Sequence, residues 1–269
     1  MSIKFGMIGG GVMGEAILSR LLSQQVYAPD AVLVSDSSPQ RRELLQQKYQ
    51  VGITSDNRAA ATADEVLLLA VKPQVLDVVV AELSGEAKGD NKPLVISILA
   101  GVTLSRLESA FPGKPVIRAM PNTPATVGGG MSVIAPGSQV QPEQISQART
   151  ILEAVGQVVE VPEPLMDGVT GVSGSGPAYV TIMIEALADG GVAAGLPRAI
   201  AYQLAVQTVL GTAQLLQESG QHPAQLKDQV TSPGGTTIAA VAELERSGFR
   251  SAIAEAVQAA YQRSQELGK

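Results

Sequence analysis

The chain contains no cysteine and no tryptophan, a single histidine (His222), three phenylalanines and five tyrosines. Without cysteine there is no disulfide, no thiolate nucleophile and no Cys-ligated zinc or iron–sulfur centre. One histidine excludes a multi-histidine metal site, so no metal is expected. Aromatics make up 3% of the 269 residues, and the core must therefore be built from Ala, Val, Leu, Ile and Met. Basic charge is scarce. Lys and Arg number 19 against 25 Asp and Glu, a formal charge of -6, and no basic stripe is left to neutralise nucleic-acid phosphates. Long unbroken apolar runs are missing too. The most apolar long segment, 177–194, is interrupted by Glu185 and Asp189, which reads as a buried helix rather than a membrane span. The opening SIKFGMIGGG turns glycine-rich before the apolar region of a signal sequence could form. A cytoplasmic protein without membrane or nucleic-acid partners is expected.

What is present is alternation. At 45% hydrophobic and 16% charged, the chain is long enough for a substantial core and favours two compact units. Short β-rich apolar runs read as strands at 3–8, 32–35, 66–70, 94–98, 116–119, 131–135 and 158–161. Helical stretches lie between them, around 12–25, 38–49, 73–83, 103–110 and 142–154. Short buried strands alternating with helices imply a mostly parallel sheet covered on both faces. The pattern changes near Pro162 and Pro164, after which only long Ala/Gln/Leu-rich stretches follow, with Val206, Val209, Leu210, Ala213 and Leu216 at helical spacing. The division expected is 1–161, α/β and dinucleotide-binding, and 162–269, all-helical. Roughly five helices of small residues make a thin layer, one that completes its burial against a second copy.

Directly after the first strand comes Gly9-Gly10-Gly11-Val12-Met13-Gly14, running into a helix. Gly9, Gly11 and Gly14 match G-x-G-x-x-G in the strand–turn–helix setting that gives the pattern its meaning. The first glycine serves the tight turn, the second the approach of a pyrophosphate, the third close helix–strand packing. The helix N-terminus offers its unpaired N–H groups to the phosphates. The second strand ends in Val34-Ser35-Asp36-Ser37-Ser38-Pro39, with Arg41 and Arg42 beyond. An acidic residue here binds the ribose hydroxyls of NAD, whereas hydroxyls and arginines at a helix N-terminus suit the extra phosphate of NADP. Asp36 and the Ser37/Arg41 group thus point opposite ways. NADP(H) is favoured and NAD(H) stays open. Plain N-capping by Ser37 or Ser38 with Pro39 at the first helical position is an equal alternative to phosphate contact. Ala70-Val71-Lys72-Pro73 and Met120-Pro121-Asn122-Thr123-Pro124 close two further strands at the ligand-binding edge. Lys72 is a candidate for phosphate or ribose, and Asn122 for a preorganised amide beside the nicotinamide. Asn57 joins the cofactor candidates.

Together with SGSGPAY at 173–179 and TSPGGTT at 231–237, these segments resemble the pyrroline-5-carboxylate reductase family over nearly the whole chain. The most particular matches are DGVTGVSGSGPAY at 167–179, ALADGGV at 186–192 and LKDQVTSPGGTT at 226–237. The resemblance implies an N-terminal Rossmann domain and a C-terminal helical dimerisation domain. It also implies NADPH-dependent reduction of the ring C=N bond of 1-pyrroline-5-carboxylate to L-proline, the last step of proline biosynthesis. Homodimers are implied, often five to a decamer, with the pocket formed where helical domains of two subunits interlock. On this view Ser232, Gly234, Gly235 and Thr236 open a helix whose N–H groups take the substrate carboxylate. The family places the Thr237 hydroxyl near the ring nitrogen and Ser175 by nicotinamide and substrate. A carboxylate that some relatives carry around 218–222 meets Gly220 here, and His222 reads as a loop or helix-start residue. A β-hydroxyacid dehydrogenase would need a catalytic lysine where this chain has Val180. A cofactor-binding sensor without turnover would have no use for TSPGGTT.

Overall fold

The computed structural model describes residues 2–83 and 92–268. Among these residues eight strands form one sheet: β1 Phe5–Ile8, β2 Val32–Ser35, β3 Gly52–Thr54, β4 Val66–Leu69, β5 Leu94–Ser97, β6 Val116–Met120, β7 Gly130–Pro136 and β8 Gly156–Glu160. Their order is β3-β2-β1-β4-β5-β6-β7-β8. All neighbours are parallel except β6 and β7, which pair antiparallel with Ile117 opposite Pro136 and Met120 opposite Val133. The order reverses at β1, the topological switch point where open α/β sheets bind ligands outside the carboxyl strand ends.

The helices between strands are α1 Val12–Ser23, α2 Pro39–Tyr49, α3 Asn57–Ala61, α4 Leu76–Leu83, α5 Leu104–Ala110 and α6 Pro142–Glu153. Beyond β8 come α7 Met166–Val169, α8 Gly176–Ala193, α9 Arg198–Ser219, α10 Pro223–Gln229, α11 Thr236–Arg246 and α12 Phe249–Leu267. The apolar run of β4 shows how the sheet is covered. Val66 and Leu68 join one core cluster with Met7, Ile17 and Leu21, while Leu67 and Leu69 join another with Ile8, Leu76 and Leu107. Alternate side chains point to opposite faces, so a run apolar at every position needs cover on both.

Two compact units result, 2–175 with 259–268, and 176–258. The change of element type falls where the sequence places it, since β8 ends at Glu160. The compact units part later, because residues 163–175 and the last turns of α12 pack on the sheet unit. In the helical unit the buried cluster is Ala188, Ala201 and Ala205. Among the described residues α9 is long and apolar enough to cross a membrane by length and composition, and 11% of that window is buried within the chain. α8 buries Ala188 alone, so it is not the buried helix expected over 177–194.

Candidate active site

Each fingerprint glycine has a distinct steric reason. Gly9 has φ +99, and a Cβ there would lie 2.6 Å from Ala70 O. Gly14 is buried, and a Cβ would lie 2.5 Å from Gly9 O and 3.3 Å from Ala70 Cβ. Gly11, the N-cap of α1, has no atom within 4 Å of such a Cβ and makes no side-chain cap hydrogen bond. Tight turn, close packing and an open face with free N–H groups are what a bound pyrophosphate requires. Val12 is exposed and Met13 half-buried beside this opening.

The second strand's acidic residue is engaged by its own chain. Asp36 Oδ2 accepts from Gly10 N–H at 2.8 Å and Oδ1 from Ser38 N–H at 2.8 Å. It ties the glycine turn to the start of α2. Ser37 is exposed. Ser38 caps α2 through the Arg41 N–H, with Pro39 at the first helical position. Arg41 Nε donates to Gly10 O, and its Nη2 donates to Glu15 and, at 3.4 Å, to Gly11 O. Arg42 Nη1 donates to Asp36 O at 2.7 Å.

Glu15 stands in the first turn of α1, where its charge would oppose a bound phosphate unless it were neutralised. Its Oε1 accepts from Lys48 Nζ at 2.9 Å and Tyr49 OH at 2.8 Å. Burial raises its pKa, but hydrogen bonds from Lys48, Tyr49 and Arg41 outweigh that and hold it at about 2. Glu15 thus stays ionised and anchors Arg41 over the glycine turn.

The remaining cofactor candidates lie at the same edge. Ala70 N–H donates to Ile8 O at 2.8 Å, and Ala70 packs against Gly9 and Gly14. Val71 and Pro73 are half-buried, and Lys72 is exposed at the cap of the following turn. Asn57 opens α3 and bridges Ser35 Oγ at 2.7 Å to Glu82 Oε2 at 2.6 Å. Asn122 is used internally: its Oδ1 accepts from Met131 N–H at 2.9 Å and its Nδ2 donates to Ser173 O at 3.1 Å. It fastens the segment leading to Ser175 onto β7, so its amide acts on that segment's position.

In the helical unit Ser232–Thr237 form the start of α11. Gly235 is the N-cap, with φ -77 and no side-chain cap hydrogen bond. Gly234 has φ +65, a turn that favours glycine. A Cβ on Gly235 would collide with Ser232 Oγ. Ser232, Gly234 and Thr236 are exposed, Gly235 and Thr237 half-buried. Three hydroxyl residues flank this helix start and none caps it, which leaves the first-turn N–H groups open to an anion. His222 instead caps α10, with Nδ1 accepting from Ala224 N–H at 3.2 Å. Among the described residues no cluster of His, Cys, Asp or Glu could hold a metal.

A parallel-sheet unit with an open glycine turn at its switch point, joined to a helical unit, defines a dinucleotide-dependent oxidoreductase architecture. A family profile described as NADP oxidoreductase, coenzyme F420-dependent, matches residues 4–101. One described as pyrroline-5-carboxylate reductase dimerisation matches 163–267. The pyrroline-5-carboxylate reductase of Synechocystis sp. is 66% identical over 269 residues, covering 100% of both chains. The pyrroline-5-carboxylate reductase structure from Coxiella burnetii superposes with a TM-score of 0.92 at 37% identity, covering 100% of both chains. The Plasmodium falciparum pyrroline carboxylate reductase with NADP bound gives 0.88 at 30% identity, covering 99% of this chain and 98% of that one. The chain belongs to the pyrroline-5-carboxylate reductase family.

Proposed function

We propose that the chain reduces the ring C=N bond of 1-pyrroline-5-carboxylate to give L-proline. Family membership over the full length carries this reading, and the uncapped, glycine-opened start of α11 gives it a physical basis. The substrate is a small ring with a carboxylate. Helix-terminal N–H groups at Thr236 and Thr237 bind that anion, while the Gly235 N–H closes the turn onto Ser232 O; the contribution is up to ~2 kcal/mol when partly buried. Ser232 and Thr236 add hydroxyl donors, and Gly234 and Gly235 keep the approach free of bulk.

NADPH, held at the glycine turn, would supply hydride chemistry here. The protein's part is orientation and proton placement. An imine protonated on nitrogen is already electrophilic, so no strong acid has to serve the carbon. The Thr237 hydroxyl hydrogen-bonds the ring nitrogen, and Ser175 lies against nicotinamide and substrate. Positioning of this kind lowers a barrier by roughly 7–11 kcal/mol in favourable cases.

For the cofactor, Gly9, Gly10, Gly11, Val12, Met13 and Gly14 hold the pyrophosphate, with Asn57, Ala70, Val71, Lys72, Pro73 and Asn122 along the same edge. NADPH is preferred over NADH because Asp36 spends both carboxylate oxygens on Gly10 and Ser38, while Ser37 is exposed and Arg41 stands beside the turn. The chain associates with itself, and residues 162–269 form the dimerisation and substrate domain. The apolar surface of α9 is read as subunit interface, with assembly as a dimer or as five dimers. Cytoplasmic residence accompanies this reading.

The test is direct. NADPH absorbance should fall when pyrroline-5-carboxylate is added, and more slowly with NADH in place of NADPH. Absence of any decrease would favour a sensor without turnover. Thr237→Val should lower kcat/KM by about 100-fold, the usual size of a lost proton-handling group. Unchanged turnover and substrate KM would remove Thr237 from the mechanism.

A further inference from the structure

The segment between α7 and α8 departs from regular helix. Residues Thr170–Gly174 form a π turn, closed by Ser175 N–H donating to Thr170 O at 2.8 Å. Such turns sacrifice regular α-helical bonding and recur at functional sites, so the surroundings must hold this one in place. On one side Asn122 grips Ser173 O. On the other, the grip comes from the far end of the chain.

Asp167 lies in α7, just before the π turn. Its Oδ1 accepts from Ser264 Oγ at 2.6 Å, across 97 residues of sequence. Arg118 Nη2 stands 3.9 Å from the same oxygen, beyond hydrogen-bond reach. Arg118, in β6, is 5% exposed, and its Nη1 donates to Glu163 Oε1 at 3.1 Å. Glu163 therefore already answers the buried cation. The short bond that aims Asp167 is the one from Ser264, itself 4% exposed. A cleft of about 300 Å³ lined by Gly101, Thr103, Arg118, Asp167, Gln265 and Gly268 adjoins the pair. Water there offers the carboxylate an alternative partner if the serine is lost.

We infer that Ser264, in the last turns of α12, is a positioning residue for the reaction: through Asp167 it fixes the π turn that presents Ser173–Ser175. This rests on the assignment of Ser175 to the nicotinamide and substrate. The last turns of α12 thereby help hold the π turn in place.

Ser264→Ala, Asp167→Asn and the double variant test this, each with steady-state kinetics and amide hydrogen exchange. Ser264→Ala should raise KM for pyrroline-5-carboxylate by about tenfold, the scale of one lost hydrogen bond to a charged group. KM for NADPH should stay within about twofold, since the glycine turn is anchored separately through Asp36 and Arg41. Exchange at residues 170–175 should quicken. The double variant should be no worse than the worse single one, because Ser264→Ala removes the donor, Asp167→Asn leaves only a weaker uncharged acceptor, and both changes act on the same contact. A fall in kcat with unchanged substrate KM and unchanged exchange at 170–175 would reduce Ser264 to a stability contact and overturn the inference. Should Ser264→Ala fail to fold, Asp167→Asn is read by the same criteria. A wild-type protein that leaves NADPH unoxidised would defeat the functional reading, and the exchange comparison would still decide the latch.

Discussion

The two units solve the burial problem in opposite ways. Around the sheet, Phe5, Ile17, Leu68, Ile96 and Leu107 are fully buried, and both faces are closed by the unit's own helices. In the helical unit the buried cluster is three alanines, while Ile182 is 65% exposed, Leu204 53% and Leu215 49%. Apolar side chains contribute about 25 cal/mol for each Å² removed from water. The cofactor unit realises that gain within one chain. The helical unit leaves it unrealised within one chain, and the dimerisation profile matches this same region, 163–267. The lesson is a division of labour: the sheet unit closes its own core, and the helical unit leaves apolar side chains for self-association.

The sharpest way to break this comparison is to put charge on the uncovered side. Ile182→Glu, Leu204→Glu and Leu215→Glu, made singly, should include variants that run as monomers in light scattering. An unpaired charge in an interface costs several kcal/mol, and the resulting monomers should lose about 100-fold or more in turnover if a second copy completes the substrate pocket. Their NADPH affinity should stay within about threefold, since the sheet unit keeps its own core. Three dimeric, fully active variants would show that the exposed apolar side chains are not the interface.

The mirror experiment disturbs the cofactor unit and leaves assembly alone. Gly14→Val places a Cβ 2.5 Å from Gly9 O and 3.3 Å from Ala70 Cβ. The first of these is backbone and has nowhere to go, so α1 must move off the sheet. Overpacking of this kind costs about 1–3 kcal/mol. The NADPH dissociation constant, followed by nucleotide fluorescence, should rise about ten- to 100-fold for that energy, with molar mass unchanged. A change in molar mass would contradict the independence of the two units.

Legibility in the sequence followed the same boundary. The run Val66–Leu69, the glycine turn and the loss of strands after Glu160 have strong local signals: an apolar run, a fixed spacing, a change of period. β3 escaped because Gly52-Ile53-Thr54 offers one apolar residue in three positions. α3, five residues long, escaped because its helical period never completes two turns. The antiparallel pairing of β7 is not written in its alternation, although the short loop between Met120 and Gly130 leaves little room for the crossover a parallel neighbour needs. At the site, residue types were readable and their partners were not. Asp36 reads as a ribose ligand in sequence, and its bonds to Gly10 and Ser38 are legible only in the fold. Asn122 reads as a nicotinamide-side amide in sequence, and its hold on Ser173 and Met131 is legible only in the fold. Ser264 carries no sequence signal at all, because its meaning depends on a contact 97 residues away.

The smallest expected effect tests whether the cofactor unit's self-sufficiency extends to its electrostatics. Glu15 is held at about 2 against an ordinary 4.5, where hydrogen bonds from Lys48, Tyr49 and Arg41 overcome the opposing effect of burial. A carboxylate with a depressed folded pKa binds fewer protons folded than unfolded. Its contribution is therefore complete above about pH 4.5 and disappears as the pH falls through about 2. Lys48 is 60% exposed, so solvent screens part of the interaction, and roughly 1–2 kcal/mol is the expected scale at neutral pH. Glu15→Gln should lower the denaturation free energy by that amount at pH 7 and converge on wild type as the pH approaches 2. Because Glu15 also fixes Arg41, the variant should lose NADPH affinity more than NADH affinity, by about threefold, with the dimer intact. Equal losses for both nucleotides would assign Arg41 to the shared part of the cofactor and leave Ser37 and Arg42 to discriminate the phosphate.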